Sequence, residues 1–313
     1  MKLYLAETFQ QAWQGKDPFA EVEKLRGEVF REFESRKTLR FLYPDSQLSE
    51  GSPSAEGSPS AKGSPSAKGS LSAEGAQSAE KLSDQTQHSY FVKIHRGIGW
   101  FEIIENLLRL RLPVLGAANE YHAIKRLESL QIDTMKIVAY GEKGLNPANR
   151  RSFIITEDLV NTISLEDYCE SWQQAKPDPA LKRALINKLA GISRAIHQNG
   201  LNHRDYYICH FLLDISHGEA SITADTIRLF LIDLHRAQLR KATPMRWRVK
   251  DIASLYFSVM HLGLSKRDYF RFIRYYEPSS LRQSLDKNKL FWSRVEQQGQ
   301  KLWQRKLRKG DAI

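Results

Sequence analysis

Two aspartates in the second half of the chain have the surroundings that phosphoryl transfer requires. Asp205 lies in "NHRDYYICHFLL", and Asp233 ends the apolar run "LFLID". A carboxylate can accept the proton of an acceptor hydroxyl, and a second carboxylate can bind Mg²⁺, which prefers oxygen ligands. We therefore predict that Asp205 is the catalytic base, that His203 and Arg204 hold its loop, and that Asp233 is a metal ligand.

The position five residues after Asp205 departs from the usual arrangement. Protein kinases have an Asn there that holds a metal ion, whereas this chain has His210. Imidazole nitrogen is a poorer ligand for Mg²⁺ than an amide oxygen. The loop alone is compatible with an active kinase that has an altered metal site, with an inactive kinase, or with a chance match. We predict that Asp233 dominates metal binding and that His210 holds a weak second metal or contacts a phosphate oxygen.

A lysine and a glutamate nearer the N-terminus could bind the phosphates of the nucleotide. Phe91, Lys93 and His95 alternate in "YFVKIH" and so share one face of a predicted strand. From that face Lys93 could reach the α- and β-phosphates of ATP, with Glu120 on a later helix fixing its position. Alone, the first would be an ordinary exposed lysine and the second an acid that favours a helix N-terminus, but their order along the chain favours phosphate binding. Asp251 begins a predicted helix in "RVKDIASLYFS", and we expect it to support the backbone of the catalytic loop.

The elements that must position these residues change in character along the chain. Alternating patterns predict two strands within 27–43 and further strands at 89–96, 136–142, 152–159 and 227–233. Helical periodicity predicts helices at 100–112, 119–130, 179–200 and through much of 250–309. This order predicts an α+β fold with a strand-rich N-terminal lobe, residues 1–158, and a mostly helical C-terminal lobe, residues 159–313.

A low-complexity repeat interrupts the strand-rich part. Residues 51–80 are five copies of a hexapeptide such as "GSPSAE". Because Gly, Ser and Pro at this density cannot bury enough apolar surface to fold, we predict a disordered insertion at 45–88, between the second and third strands. The repeat is either a tether or a tolerated expansion, and the second interpretation is favoured because long surface insertions cost little stability.

The charge of the chain indicates an anionic partner. The 313 residues carry a formal net charge of +11. The segment between Asp233 and Asp251 contains six Lys and Arg residues and no acid, and we predict that four of them bind an anionic acceptor: Arg236, Arg240, Arg246 and Arg248. A second basic segment, 282–309, also contains aromatic residues, which suits an anionic membrane surface, RNA or packing of an amphipathic helix on the core.

Cysteine content and hydropathy predict where the protein works. The two cysteines, Cys169 and Cys209, form no C-x-x-C motif, which fits a reducing cytoplasm. The start of the sequence lacks the apolar core of a signal peptide, and no run of apolar residues is long enough to span a membrane. We expect a cytoplasmic protein that reaches a membrane only from its surface.

Several stretches together resemble the bacterial lipopolysaccharide core heptose(I) kinases. They include "GKDPFAEVEKLRGEVFRE", "YFVKIHRG", "NLLRLRLPVLGA", "NHRDYYICHFLL" and "IDLHRAQLR", and the resemblance covers nearly the whole chain outside 45–88. It implies a protein-kinase-like fold that uses ATP and Mg²⁺ to phosphorylate the 4-hydroxyl of the first heptose of the inner core. The implied acceptor already carries Kdo and lipid A at the cytoplasmic face of the inner membrane. The resemblance also implies an association with acyl carrier protein.

The resemblance implies the same roles for Asp205, Asp233, Lys93 and Glu120 that the residues suggested. It adds an adenine-binding hinge, which would be formed by Thr156, Glu157 and Asp158. The glycine-rich loop of protein kinases is absent, and in its place "EFESRK" offers Arg36 or Lys37 as a phosphate contact. The heptose kinases also have His at the position of His210, which argues against an inactive enzyme.

Three other functions compete with a heptose kinase. Another small-molecule kinase, such as a Kdo kinase or an aminoglycoside phosphotransferase, would share the loop, although the basic acceptor segment argues against a cationic aminoglycoside. A non-catalytic pseudokinase scaffold would be expected to lack Asp205, Asp233 or Lys93, and all three are present. Nucleic-acid binding is suggested by net charge alone, and we expect no nucleic acid as partner.

Overall fold

The N-terminal part of the chain is built around one antiparallel sheet. The computed structural model describes residues 1–44, 87–109 and 113–310. The sheet has six strands in the order β1-β5-β6-β4-β3-β2. Their bounds are β1 Lys2–Leu5, β2 Glu28–Phe33, β3 Arg36–Pro44, β4 Gln87–His95, β5 Ile137–Lys143 and β6 Arg151–Glu157. The strands predicted within 27–43 and near 89–96, 136–142 and 152–159 are thus confirmed.

The repeat connects two strands that pair along their full length. β3 and β4 are antiparallel partners from Arg36 opposite His95 to Pro44 opposite Gln87. The predicted insertion at 45–88 was therefore wrong at its end, because Gln87 and His88 belong to β4. The alternating pattern that marks this strand begins only at Ser89, so these two polar residues gave no signal. The rest of the prediction, 45–86, lies outside the described residues.

An aromatic core covers one face of this sheet. Two short helices, α1 (Glu7–Ala12) and α2 (Pro18–Lys24), pack there. The Phe9 ring stacks on Tyr43, with 4.9 Å between the ring centroids, and meets Tyr90 edge-on at 5.5 Å. No element had been predicted in residues 1–26, since helices and a strand of four to seven residues give too little periodicity to recognise.

Two helices connect β4 to β5. α3 spans Gly99–Leu108 and α4 spans Ala118–Ser129. The prediction for α4 is confirmed within one residue at each end. The helix predicted at 100–112 ends earlier, at a cap formed by Arg109, and residues 110–112 lie outside the described ranges. α4 buries Glu120, Ile124 and Leu127 on the side that faces the sheet and the rest of the core.

The C-terminal part is mainly helical, as predicted. Its helices are α5 Leu165–Cys169, α6 Pro179–Gln198, α7 Met245–Val259, α8 Lys266–Tyr276, α9 Leu281–Lys287 and α10 Lys289–Lys309. Its short strands are β7 Thr162–Ser164, β8 Leu201–Asn202, β9 Phe211–Asp214, β10 Leu229–Leu231 and β11 Gln238–Leu239. The division of the chain after residue 158 stays a prediction.

The start of α7 differs from the sequence-based expectation. The helix was expected to begin near Asp251, but it begins at Met245, directly after Pro244. Proline suits the residue next to a helix N-terminus because its fixed φ needs no rearrangement there. The basic stretch before Asp251 is therefore helical, and this determines which of its side chains point in the same direction.

α10 packs closely on α7 and explains the aromatic residues of the second basic segment. Phe291 and Val295 are buried, and Trp303 meets Phe257 edge-on at 6.3 Å. A Cβ atom at Gly299 would lie 2.5 Å from the Tyr256 ring, so glycine permits the close crossing. These aromatic side chains therefore pack on the core. Among the described helices, none is both long and apolar enough to cross a membrane.

Candidate active site

One buried carboxylate, that of Asp251, binds the backbone of the catalytic loop. Asp251 is fully buried, and it accepts hydrogen bonds from the backbone N–H groups of His203 at 2.7 Å and Arg204 at 2.9 Å. Arg204 has a φ of 77°, a left-handed conformation that costs a non-glycine residue roughly 1–3 kcal/mol. The two hydrogen bonds to Asp251 offset this cost, and they fix the direction in which the next residue, Asp205, leaves the backbone.

His203 ties the catalytic loop to the strand that carries Asp233. The imidazole Nε2–H donates to the carbonyl oxygen of Ile232 at 2.9 Å, one residue before Asp233. Complete burial lowers the pKa of His203, so the ring is neutral and keeps its single proton for this bond. The distance between the predicted base and the predicted metal ligand is therefore set by a buried side chain.

Asp205 is engaged by an arginine. The Nη1 group of Arg236 donates to both carboxylate oxygens, at 2.8 and 3.0 Å. Arg236 follows Asp233 by three residues, and the short turn between them brings the Arg236 side chain to the catalytic loop. Charge-assisted contacts of this kind are among the stronger hydrogen bonds in proteins. Asp205 thus has one fixed partner and a side chain that is still 17% exposed.

Asp233 lies among three potential cations. His235 Nδ1–H donates to its carboxylate at 2.5 Å, and Lys93 Nζ and His210 Nε2 lie 3.8 and 3.7 Å from its oxygens. Burial raises the pKa of Asp233, but the hydrogen bond from His235 and the charge of Lys93 outweigh burial and leave the pKa well below its usual range. The carboxylate is therefore ionised. An ionised oxygen ligand at the edge of a cleft fits Mg²⁺.

His210 has one nitrogen committed and one directed at Asp233. Its Nδ1 lies 2.6 Å from the carbonyl oxygen of Asp205, a contact that requires the proton on Nδ1. The other ring nitrogen, Nε2, faces the Asp233 carboxylate at 3.7 Å. The ring also stacks on His203, with 5.8 Å between centroids. His210 thus directs one ring nitrogen at the Asp233 carboxylate.

The sheet provides the opposite wall of the cleft. Lys93 on β4 pairs with Glu120 of α4 at 2.6 Å, and the Glu120 side chain is only 1% exposed. Burial lowers the pKa of Arg36, at the start of β3, and the nearby charges of Glu120 and Asp233 offset this effect only in part. Lys37 instead pairs with Glu32 within the same hairpin, at 3.1 Å.

The predicted hinge lies at the end of β6. Thr156 is buried and pairs with Phe91 of β4. Glu157 forms an ion pair with Lys136 at 2.8 Å. The Asp158 carboxylate accepts from Ser89 Oγ at 2.8 Å and lies 2.8 Å from Arg40 Nε. The hinge is therefore anchored to β3 and to β4, the strand that carries Lys93.

Of the four arginines predicted to bind an acceptor, three contact the catalytic loop or the Trp247 ring, and Arg248 instead packs against α10. Arg236 contacts Asp205, and Arg240 donates to Asn202 and to Gln238. The Arg246 guanidinium lies 5.2 Å from the centroid of the Trp247 ring. Arg248 packs elsewhere, 5.3 Å from the centroid of Phe291 of α10.

Arg204, Lys250 and Trp247 lie with Arg240 and Arg246. The sequence patterns predicted only a loop-holding role for Arg204, and they singled out neither Lys250 nor Trp247 as an acceptor-binding residue. Residues 246 and 248 are two apart on one helix and so face different directions, whereas 246 and 250 are four apart and share a face. Recognising that α7 begins at Met245 would have selected Lys250 in place of Arg248.

Comparisons with known proteins agree with this geometry. The model of the lipopolysaccharide kinase (Kdo/WaaP) family matches residues 67–276. The lipopolysaccharide core heptose(I) kinase WaaP of Pseudomonas aeruginosa is 43% identical over 313 residues, 100% of each chain. WaaP of Escherichia coli K12 is 46% identical over 308 residues, 98% of each chain.

A solved structure supports the same relationship. The structure of WaaP in complex with acyl carrier protein is 39% identical, has a TM-score of 0.73 and covers 97% of this chain and 100% of that chain. This match confirms the predicted α+β, protein-kinase-like fold. Because the sequence similarity extends over the full length of its relatives, the chain belongs to the lipopolysaccharide kinase (Kdo/WaaP) family.

Proposed function

We propose that this chain is an ATP-dependent kinase that phosphorylates the first heptose of the lipopolysaccharide inner core at its 4-hydroxyl. The observation that carries the proposal is the convergence of Lys93, Glu120 and Asp233 opposite Asp205. Lys93 Nζ lies 2.6 Å from Glu120 and 3.8 Å from Asp233, although the three come from distant parts of the sequence. The relatives named as heptose(I) kinases support the choice of acceptor.

The N-terminal wall of the cleft would bind the nucleotide. The hinge at 156–158 would receive adenine, and Lys93 and Arg36 would contact the phosphates. Asp233 would hold Mg²⁺, and the bound ion would neutralise charge on the transferred phosphate. His210 would hold a weaker second metal or contact a phosphate oxygen. Glu120 keeps Lys93 directed into the cleft, because its buried carboxylate holds the ammonium group.

Asp205 would receive the acceptor hydroxyl on the other wall. The hydroxyl oxygen forms the new bond to the γ-phosphorus as the bond from that phosphorus to the β-γ bridging oxygen breaks. The hydroxyl proton passes to the Asp205 carboxylate, and ADP leaves. Arg236 holds the carboxylate in place through both oxygens, which restricts the directions from which the hydroxyl can approach.

Transfer to defined acceptors tests this function. Purified protein should transfer labelled phosphate from ATP to a lipopolysaccharide precursor that lacks the heptose phosphate. It should transfer none to a precursor that lacks heptose and ends in Kdo. Labelling of the second precursor alone would favour a Kdo kinase, and labelling of neither would contradict the sugar-kinase proposal.

We also propose that acyl carrier protein binds this chain, as it binds the WaaP of the structural neighbour. A cavity of about 660 Å³ opens between α6, α7, α8 and α10, and mostly apolar side chains line it, among them Leu189, Tyr256, Phe272 and Trp292. An acyl chain matches this lining, since apolar groups gain free energy by leaving water. Thermal unfolding should shift upward with acylated carrier protein and less with the carrier lacking its acyl group. Equal shifts would argue against an acyl-binding role for the cavity.

A lipid-linked acceptor would also bring the enzyme to the cytoplasmic face of the inner membrane. We propose a peripheral association through the cations of α10, since its aromatic residues pack on the core. Co-sedimentation with vesicles of phosphatidylglycerol, compared with phosphatidylcholine, tests the association. Equal sedimentation with both would contradict a role for anionic lipid.

A further inference from the structure

Four cations surround one tryptophan beside the catalytic loop. The side-chain charges of Arg204, Arg240, Arg246 and Lys250 lie 5.5, 5.6, 5.2 and 5.5 Å from the centroid of the Trp247 ring. We call these five residues the Trp247 cluster. A single cation gains roughly 0.5–2 kcal/mol from an aromatic face, but four cations on one ring repel one another.

The electrostatics of the cluster show this repulsion. Burial lowers the pKa of Lys250, and the nearby charges of Arg204 and Arg236 lower it further. Burial and Arg236 likewise lower the pKa of Arg204. The nearest acids are already engaged, since Asp205 pairs with Arg236 and Asp251 holds the loop backbone. An added anion would relieve the repulsion.

Two buried donors in the cluster have no hydrogen-bond partner among the described residues. Arg204 is only 7% exposed. Among the described residues, neither its Nε group nor the Nε1 group of Trp247 has a hydrogen-bond partner. Buried donors are usually satisfied, and leaving one unsatisfied costs about 1–3 kcal/mol. An oxyanion bound at the cluster would supply the acceptor that these donors lack.

The cluster continues into a cavity between α7 and α10. This cavity has a volume of about 460 Å³, and its lining includes four cations, Arg246, Arg294, Lys301 and Arg305, and no acidic residue. Arg246 belongs to both the cluster and the cavity, so the two basic segments of the sequence meet in space. We call this cavity the basic groove.

We propose that the Trp247 cluster and the basic groove form one subsite for the anionic groups of the acceptor that do not react. The ligand chemistry is an oxyanion, supplied either by the carboxylate of the acidic sugar next to the heptose or by a phosphate of the lipid. Arg204 precedes Asp205 directly, so an anion held at the cluster places the neighbouring sugar at the base. This proposal rests on the proposed heptose kinase function.

The groove can be tested without touching the catalytic loop. The variant Arg294→Gln/Lys301→Gln/Arg305→Gln changes three exposed side chains of α10. We expect its KM for the heptose–Kdo–lipid A acceptor to rise at least tenfold, with the KM for ATP unchanged. The matched control Arg183→Gln/Lys188→Gln/Arg267→Gln removes the same charge from exposed positions on α6 and α8, and its acceptor KM should change less than twofold.

Modified acceptors identify the oxyanion. Binding is measured without ATP, by calorimetry, with acceptor whose phosphates have been removed and with acceptor whose carboxylates have been converted to amides. The modification that abolishes the difference between wild type and the triple variant identifies the group bound. An acceptor KM that is unchanged in the triple variant, or raised equally in the control, overturns the subsite. A wild-type protein that transfers no phosphate overturns the proposed function instead.

Discussion

The two walls of the cleft differ in how their charges are balanced. On the sheet side, Lys93 has Glu120 at 2.6 Å and Asp233 at 3.8 Å, so its charge is compensated before any ligand binds. On the helical side, four cations share the Trp247 ring, and the neighbouring carboxylates are engaged elsewhere. Paired charges fix a geometry in advance, whereas cations in excess need an anionic ligand to balance them. The first arrangement suits a nucleotide and the second suits an anionic acceptor.

The largest effect is expected at Asp233, which faces Lys93 of the sheet across the cleft. Asp233→Asn removes the ionised oxygen ligand and retains the size of the side chain. Because metal-assisted charge stabilisation contributes several kcal/mol to a transition state, kcat should fall at least about 10³-fold. Turnover is measured across a range of Mg²⁺ concentrations. A variant restored to wild-type kcat by excess Mg²⁺ would contradict the assignment of Asp233 as the main ligand.

Asp251 supports the helical wall through the backbone, so its loss should affect stability. Asp251→Ala leaves the N–H groups of His203 and Arg204 without their acceptor and releases the left-handed turn. Hydrogen bonds to a charged group contribute about 1.5–3 kcal/mol each, so the free energy of unfolding should fall by about 3 kcal/mol or more. Urea titration measures this. Asp286→Ala, on the exposed side of α9, serves as control and should change stability by less than about 0.5 kcal/mol.

The buried interior of the sheet side should make stability depend on pH. Burial, together with the charges of Arg36 and Lys93, lowers the pKa of His95 to about 3. Below the unfolded value of 6.5, the unfolded chain binds a proton that the folded chain does not. Stability should therefore fall as the pH falls from 6.5, by up to about 1.4 kcal/mol per pH unit. His95→Gln should flatten the slope of unfolding free energy against pH between pH 6.5 and 5. An unchanged slope would show that His95 binds its proton equally in the folded and unfolded chains, which would contradict the lowered pKa.

The smallest effect is expected from the hexapeptide repeat. Deletion of residues 49–82 removes the repeat, and Pro44 and Gln87 at the ends of β3 and β4 are already paired. Transfer activity should stay within about twofold of wild type, since shortening the connection between two paired strands changes its closure entropy little. A loss of more than tenfold, with unfolding unchanged, would assign the repeat a function.

Sequence patterns predicted the sheet side of the cleft better than the helical side. β4 alternates cleanly, so the inward direction of Lys93 followed from strand geometry. The orientation of Arg246, Arg248 and Lys250 depended on where α7 begins, and a basic stretch gives no hydrophobic phase from which to find that point. The Trp247 cluster also required knowledge of the left-handed turn at Arg204, which tertiary hydrogen bonds to Asp251 stabilise and local sequence does not reveal.

The contacts around the two aspartates show a further limit. Sequence motifs singled out Asp205, in "NHRD", and Asp233, which ends the apolar run "LFLID". They did not predict that Arg236 would contact Asp205, or that His235 would donate to Asp233. Both contacts arise from the tight turn that starts at Asp233, whose φ is 59°. Asp tolerates this conformation better than most residues, so its presence was compatible with the turn but did not predict it.

A matrix of Michaelis constants tests the central comparison most directly. The KM values for ATP and for the heptose-bearing acceptor are measured in wild type, in Lys93→Gln and in Lys250→Gln. Lys93→Gln should raise the KM for ATP at least tenfold and change the acceptor KM little, because it removes the paired cation of the sheet side. Lys250→Gln should do the reverse. If both variants raise the same KM, the two walls do not divide nucleotide from acceptor, and the account is contradicted.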